Sequence, residues 1–183
     1  LEVNPFHREA DRVPCRSIEA VVYDDPNTAL LAFESGDVDF IPTVEVSYDH
    51  EIARLARSGE RADFHLCSLA GTYFFNFNCS DAVVDGRLNP FVDARVRRAF
   101  SLAVDRRAIT EQVLQRGDRP AGAFVPPGTM PGYEPPAGLG FDPESARSLL
   151  AEAGFPRGEG LPVIELLFNT GGPHSSICQA AAR

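Results

Sequence analysis

The sequence contains no lysine and no tryptophan, so all 17 of its basic residues are arginines. Against 26 acidic residues they leave a formal net charge of −9. Proteins that bind nucleic acid attract phosphates with a patch or run of basic residues, and this acidic chain has neither in its sequence. We therefore expect no nucleic acid among its partners.

Long apolar runs are also missing from these 183 residues. No stretch reaches 18 consecutive apolar residues, so the sequence predicts no membrane-spanning helix. The chain starts at Leu1 without a start methionine or an apolar signal core, and we expect any export signal to lie outside this stretch. Hydrophobic residues at 44% and charged residues at 23% are close to globular averages and argue against disorder.

Closely spaced cysteines are absent, because the four cysteines lie far apart and none forms a C-x-x-C motif. They are Cys15, Cys67, Cys79 and Cys178. His65 lies near two of them, but a tetrahedral zinc site needs a fourth ligand and usually a close pair of ligands. We predict no metal site, and buried free thiols or one disulfide instead.

Motifs of phosphate-binding and hydrolytic enzymes are incomplete. Residues 117–122 have the glycine spacing of a phosphate loop, but Ala123 and Phe124 stand where that loop needs Lys and Ser or Thr. The sequence has no G-x-S-x-G motif. We therefore predict no catalytic residues and no cofactor, and a hydrolase is the least favoured class.

What the sequence does contain is a series of helix signals. Acidic N-cap residues followed by apolar residues at helical spacing predict five helices. The predicted N-caps are Asp25, Asp49, Asp93, Asp105 and Asp142, and the predicted stops are Gly36, Gly59, Gly117 and Gly154. A sixth helix is predicted to begin near His174.

Strands are predicted where apolar and β-branched residues cluster, at 18–23, 38–41, 72–78 and 161–168. The first two flank the helix after Asp25, which predicts a β-α-β unit over 18–41. Residues 117–141 carry six prolines and six glycines and predict a long loop. A loop of this length is usually functional or packed against another part of the protein.

The strand predicted at 72–78 is a candidate ligand site. Side chains alternate across a strand, so Tyr73, Phe75 and Phe77 share one face, while Phe74, Asn76 and Asn78 share the other. An aromatic ring beside amides is typical of pockets for polar organic ligands. A half-buried strand with a polar solvent face explains the pattern equally well.

His174 is a second candidate, because it follows the turn at 169–173 and stands at the predicted start of a helix. The N-terminus of a helix favours anions. A solvent-exposed histidine without a ligand is the alternative interpretation.

Several segments, in this order, are similar to those of one protein family. They are Asn4-Pro5-Phe6, IEAVVYDDPNTALLAFESGDVDF, TYFFNFN, NPFVDARVRRAFSLAVDRRAI, AGAFVPPGTMPGY, FDPESARSLLAEAGF and LPVIELLFNT. Together they resemble the family 5 extracellular solute-binding proteins, which are the oligopeptide, dipeptide and nickel-binding receptors of ABC importers.

This resemblance implies an α/β protein with the two-lobed, type II periplasmic-binding-protein-like fold. We expect the chain to be an incomplete, central portion with parts of both lobes. Residues 1–70 would be the C-terminal part of a lobe I segment, comprising the β-α-β unit and one helix. Residues 71–183 would supply the crossover strand and the first half of lobe II.

The resemblance also implies a function and a site. The protein would be a monomeric, non-enzymatic receptor in the periplasm or on a lipoprotein anchor, which passes peptides or a similar small polar solute to a membrane permease of the ABC type. Tyr73, Phe74, Asn76 and His174 would face the ligand. Leu114 replaces a basic residue of some peptide receptors, with Arg116 nearby. The alternative is the same fold as the ligand-sensing domain of a cytoplasmic transcriptional regulator.

Overall fold

The computed structural model describes residues 1–12, 14–44, 48–84 and 86–183. The chain divides into two units, Leu1–Val46 and Ser47–Arg183. This boundary lies before the helix at residues 49–58, whereas the predicted lobe boundary at residue 70 lies after it. The assignment of 1–70 and 71–183 to two lobes remains a prediction.

The first unit contains one α-helix, α1 (Pro26–Ser35), and a 3₁₀ turn at Ala10–Arg12 among its described residues. The Asp25 carboxylate caps α1 by accepting hydrogen bonds from the Thr28 backbone N–H at 2.9 Å and from the Thr28 hydroxyl at 2.8 Å. Gly36 ends the helix at a φ of 82°, in the left-handed region that glycine adopts readily. The predicted helix is confirmed at both ends.

The strands predicted at 18–23 and 38–41 do not form. One isolated antiparallel bridge joins Glu2 and Ser17, and the apolar side chains of Val21 and Val22 are exposed. A helix satisfies its own backbone hydrogen bonds, but a strand needs a neighbouring strand. Because the described part of this unit offers no such neighbour, the predicted β-α-β unit does not form within this chain by itself and stays a prediction.

The second unit is mainly helical. Its α-helices are α2 (Asp49–Ser58), α3 (Ala94–Ala103), α4 (Arg106–Ala108), α5 (Pro143–Glu152) and α6 (His174–Ala181). Short 3₁₀ turns lie at Pro90–Val92 and Pro156–Gly158, and a π-helical segment, Ile109–Leu114, continues α4. An antiparallel hairpin pairs β1 (Val83–Val84) with β2 (Arg87–Leu88), with Val83 opposite Leu88.

The core of the second unit lies between α3 and α5. Ala99 and Leu102 of α3 pack against Ala146 of α5, and Leu149 and Leu150 flank this contact. Both helices begin as predicted, because Asp93 and Asp142 accept N-cap hydrogen bonds. The Asp142 backbone N–H also donates to the Leu102 carbonyl at 2.9 Å, which joins the start of one helix to the end of the other.

Two predicted helix boundaries are wrong. Asp49 does not cap α2, whose N-cap is Tyr48, and its carboxylate pairs with Arg116 instead. Asp105 does cap α4, but the π-helical segment ends at Gln115, with a φ of 54°, rather than at Gly117. The wider i→i+5 turn rotates the later side chains, and the apolar side chain of Val113 is exposed.

Residues 72–78 and 161–168 likewise carry no strand. Val163 is 82% exposed and Leu167 is 95% exposed, so much of the apolar surface of the second segment lies uncovered within this chain. The helices of the predicted α/β pattern are therefore present, and its four longer strands are not. No helix of the described residues is long and apolar enough to cross a membrane.

Candidate functional site

Two of the predicted site residues meet in the second unit. The Nδ1 atom of His174, at the start of α6, lies 3.1 Å from the Tyr73 hydroxyl oxygen. The two rings tilt by 32° with their centroids 5.5 Å apart. The structure thus joins residues that are 101 positions apart in sequence, on a half-exposed surface.

Cys178 is the third member of this cluster. It lies one helical turn after His174, so the two side chains share a face of α6. Its side chain is buried, with 2% of the residue exposed. Burial raises the pKa of Tyr73 above its ordinary value, and Cys178 raises this pKa further. The phenol therefore keeps its proton at neutral pH.

The turn into α6 determines what covers the His174 ring. Gly171 and Gly172 have φ values of 89° and 54°, so both lie in the left-handed region. A Cβ atom on Gly172 would lie 3.7 Å from Cδ2 and 3.9 Å from Nε2 of His174. Because glycine has no such atom, this edge of the ring stays open. Within the described part of the chain, Nε2 has no hydrogen-bond partner.

Phe74 lies against another element. Its ring packs edge-on against Phe124 at a centroid distance of 5.0 Å, and the Thr72 hydroxyl donates to the Phe124 carbonyl at 2.8 Å. The loop at 117–141 is therefore packed against the 72–78 segment. Asn76 is exposed. No described contact joins Phe74 or Asn76 to His174, so their role at the ligand remains a prediction.

The far end of the 72–78 segment is anchored by aromatic packing. Phe77 contacts Phe91 at a centroid distance of 4.8 Å and Phe100 of α3 at 6.4 Å, and Phe91 and Phe100 pack edge-on at 5.1 Å. Tyr73 and Phe75 also pack edge-on, at 5.6 Å. The contact between these two rings agrees with their predicted placement on one face.

Asn89 fixes the chain between this segment and α3. Its buried side-chain amide donates to the carbonyls of Asn78 at 3.1 Å and Asp81 at 2.8 Å. Its side-chain oxygen accepts from the Phe91 backbone N–H at 3.1 Å. One side chain thereby holds the end of the 72–78 segment to the 3₁₀ turn that precedes α3.

Arg116, the basic residue near Leu114, is held by two carboxylates. Its guanidinium lies 3.0 Å from Asp49 and 3.1 Å from Asp118. Burial lowers the pKa of Arg116, but the two carboxylates more than offset this effect and raise it on balance. Because its charge is already compensated within the protein, Arg116 is not a free cation for an anionic ligand.

The four cysteines differ in their exposure to solvent. All four cysteines are free, but Cys178 alone is buried, so the prediction of buried thiols is wrong for Cys15, Cys67 and Cys79. These three lie in exposed segments that offer no core to enter. Over the described ranges, no group of three or more His, Cys, Asp or Glu residues comes together as a metal site.

Sequence reasoning missed Cys178 and Phe124 as neighbours of the site. The spacing of four residues between His174 and Cys178 on a predicted helix was the signal for the first. No sequence pattern identifies Phe124, because its contact with Phe74 depends on how the long loop folds back.

Comparison with known proteins gives a match over the whole chain. A family described as bacterial extracellular solute-binding proteins, family 5 Middle, matches residues 1–183. The chain is 30% identical over 189 residues to the oligopeptide-binding protein OppA of Bacillus subtilis, covering 98% of this chain and 32% of that protein.

Two further relatives are named for different ligands. The periplasmic oligopeptide-binding protein OppA of Salmonella typhimurium is 29% identical over 194 residues, covering 100% of this chain and 32% of that protein. Heme-binding protein A of Haemophilus influenzae is 41% identical over 149 residues, covering 80% of this chain and 25% of that protein. The chain thus spans about a third or less of the length of these relatives.

Proposed function

Because this chain belongs to the bacterial extracellular solute-binding proteins of family 5, we propose that it is part of the substrate-binding component of an ABC importer for peptides. The observation that carries the proposal is the family match over all 183 residues, together with relatives named for oligopeptide binding. Proteins of this family are two-lobed type II binding proteins that serve in transport.

The proposed mechanism is closure of two lobes around the ligand. A ligand shifts an open–closed equilibrium only to the extent that it binds the closed form more tightly. The closed form then delivers the peptide to the membrane permease. The proposed location is the periplasm or, on a lipoprotein anchor, the outer face of the cell membrane, and the proposed receptor is a monomer without a cofactor.

Tyr73, Phe74, Asn76 and His174 are the proposed ligand-binding residues in this chain. The cluster of Tyr73, His174 and Cys178 supports this assignment, because two polar rings meet beside an open glycine turn. The contact between Phe74 and Phe124 offers apolar surface for a peptide side chain. The pairing of Arg116 with two carboxylates supports His174, rather than Arg116, as the partner of a ligand oxygen.

The relatives reported above are binding proteins by name, and they lend no support to the regulator alternative. One of them is named for haem, which makes haemin a useful competitor in a binding experiment.

The proposal can be tested by titration calorimetry on the natural polypeptide purified from its host. The ligands are trialanine, free alanine and haemin. We expect trialanine to bind at micromolar or lower concentration and free alanine not to bind. The variant His174→Ala should weaken trialanine binding, whereas His65→Ala, which removes an exposed histidine elsewhere, should not. Tight haemin binding without peptide binding would show that the peptide assignment is wrong.

A further inference from the structure

We propose that the exposed rings of Phe74 and Phe124 form a binding subsite for an aromatic side chain of the ligand, and that the close approach of Gly122 and Gly138 holds Phe124 in place. The ligand class is then a short peptide with an uncharged aromatic residue. This inference rests on the proposed function, because it takes the ligand to be a peptide. It adds Phe124 and Gly138 to the residues that select the ligand.

The two rings leave room for a further ring. Phe74 is 51% exposed and Phe124 is 68% exposed, although their centroids are only 5.0 Å apart. Their planes meet at 63°, so the edge of one ring contacts the face of the other. Aromatic rings prefer edge-on or offset contacts, which strengthen association beyond the effect of the buried area. The uncovered sides of this pair therefore suit another aromatic ring.

The two stretches of chain that carry these rings are uncharged. Phe74 lies within residues 66–80 and Phe124 within residues 120–133, and neither stretch contains an acidic or basic residue. Charged residues make up 23% of the whole chain. A charged side chain that leaves water needs a partner of opposite charge, and these stretches offer none. They therefore favour an uncharged ligand side chain.

Phe124 is held by its backbone as well as by its ring. The Thr72 hydroxyl donates to the Phe124 carbonyl at 2.8 Å. Thr72 precedes Phe74 by two residues, so one short segment contacts both the backbone and the ring of Phe124. The same segment carries Tyr73 of the candidate site, which places the two rings beside the other proposed ligand contacts.

The loop that carries Phe124 closes on itself at two glycines. A Cβ atom on Gly138 would overlap the carbonyl oxygen of Gly122 and lie 2.7 Å from its Cα atom. Both obstacles are backbone atoms, which cannot turn aside as the end of a long side chain can. Residues 122–138 therefore form a closed loop that requires glycine at position 138, and Phe124 lies two residues inside it.

The end of this loop near Gly138 is tied to the helical core. Arg106 of α4 donates to the Leu139 carbonyl at 3.4 Å. The Asp142 backbone N–H donates to the Leu102 carbonyl of α3 at 2.9 Å. Gly138 thus lies next to an anchored stretch of backbone, and its contact with the other end of the loop passes this restraint on to the segment before the first ring of the loop.

Titration calorimetry on the natural polypeptide purified from its host tests the ligand class. The ligands are trialanine, the three tripeptides in which phenylalanine replaces one alanine, and the matching three with aspartate. We expect at least one phenylalanine tripeptide to bind about tenfold more tightly than trialanine, because the ring adds buried apolar area and an edge-on contact. Its aspartate counterpart should bind less tightly than trialanine.

The possible failures of this experiment are distinct. Equal binding of trialanine and all three phenylalanine tripeptides would overturn the subsite and leave the proposed function intact. No binding of any tripeptide would contradict both the proposed function and the subsite.

The variant Phe124→Leu tests the ring, because it keeps an apolar side chain. It should lower the preference for the phenylalanine tripeptide over trialanine by about two- to tenfold, with little change in trialanine binding. Phe141→Leu removes an exposed phenylalanine outside the closed loop and is the matched control. An unchanged preference in Phe124→Leu would overturn the inference. A loss of stability in place of the lost preference would show that another part of the polypeptide covers the rings.

Gly138→Ala tests the positioning role, because it removes no ring. The added methyl group should force the loop open, displace Phe124 and lower the same preference. Gly140→Ala is the matched control, since a Cβ atom there has nothing within 4 Å. Equal effects of the two variants, or an equal loss for trialanine and the phenylalanine tripeptide, would contradict the role of Gly138. Circular dichroism shows whether Gly138→Ala is folded; if it is not, Phe124→Leu still decides the subsite.

Discussion

Apolar side chains are largely buried in the α3–α5 pair and more exposed in the segments at 72–78 and 161–168. In the helix pair, Leu102 is 7% exposed and packs against its partner helix. In the second of the two segments, Leu167 is 95% exposed. The sequence is apolar in both regions, so hydrophobicity alone does not decide which residues are buried.

The difference lies in where the backbone hydrogen bonds are made. Each helix makes them internally, and two helices then need only one apolar face each to form a core. A strand makes them with another strand, which can lie far away in sequence. The same stretch of chain therefore contains well-formed helices beside apolar segments without a sheet.

The largest expected effect comes from making the same substitution in both regions. Leu102→Ala should lower the free energy of unfolding by about 2–5 kcal/mol, because it leaves a cavity between α3 and α5. Leu167→Ala should change it by less than about 0.5 kcal/mol, since the side chain is already in solvent. Urea unfolding followed by circular dichroism measures both, and equal effects would contradict the comparison.

An intermediate effect is expected where the two regions are joined. Asn89→Ala should cost about 1–3 kcal/mol, because it removes the buried donor to the carbonyls of Asn78 and Asp81. Asn89→Asp keeps the shape but loses the N–H donors, and it should be at least as harmful. Asn76→Ala, on the exposed surface of the same segment, is the control for urea unfolding. A loss no greater than that of Asn76→Ala would show that Asn89 does not hold the segment.

The smallest effect is a pH dependence confined to the helices. A hydrogen bond from the Ser145 side chain, followed by one from the Ser145 backbone N–H, lowers the pKa of Asp142 in the folded protein. Because the folded pKa is below the unfolded one, this stabilisation is complete above about pH 4 and is lost as the pH falls through the folded value.

Asp142→Asn should therefore reduce the loss of helical circular dichroism between neutral and strongly acidic pH. Glu144→Gln removes a carboxylate from the same turn but no N-cap hydrogen bond, and it should leave most of that loss in place. If both variants behave alike, general charge rather than capping governs the acid response.

The sequence determines the fold where contacts are local, and less where they join distant residues. Asp25, Asp93 and Asp142 cap their helices as predicted. This is a local interaction, because each carboxylate accepts a hydrogen bond from a backbone N–H only two or three positions later. Asp49 met the same local criteria, but its carboxylate forms an ion pair with Arg116, which is distant in sequence. The predicted strands failed because their partners are not specified within the segments themselves.

For the candidate site, the family resemblance identified Tyr73 and His174, and the structure added their contact. Cys178 was within reach of sequence reasoning through its four-residue spacing from His174. Phe124 was not, since a proline- and glycine-rich loop has no periodicity from which to infer its fold. Several residues of the candidate site can thus be proposed from the sequence, but their arrangement and the contact with Phe124 require tertiary structure.

Because the four thiols differ in exposure, their rates of reaction with a thiol reagent can report motion in the wild-type chain. Cys15, Cys67 and Cys79 are open to solvent, and Cys178 of α6 is buried. A thiol reagent in excess should consume three equivalents rapidly and the fourth only as α6 separates from Tyr73. The slow phase then measures how often the site opens, and a ligand that bridges α6 and Tyr73 should lengthen it without any engineered label.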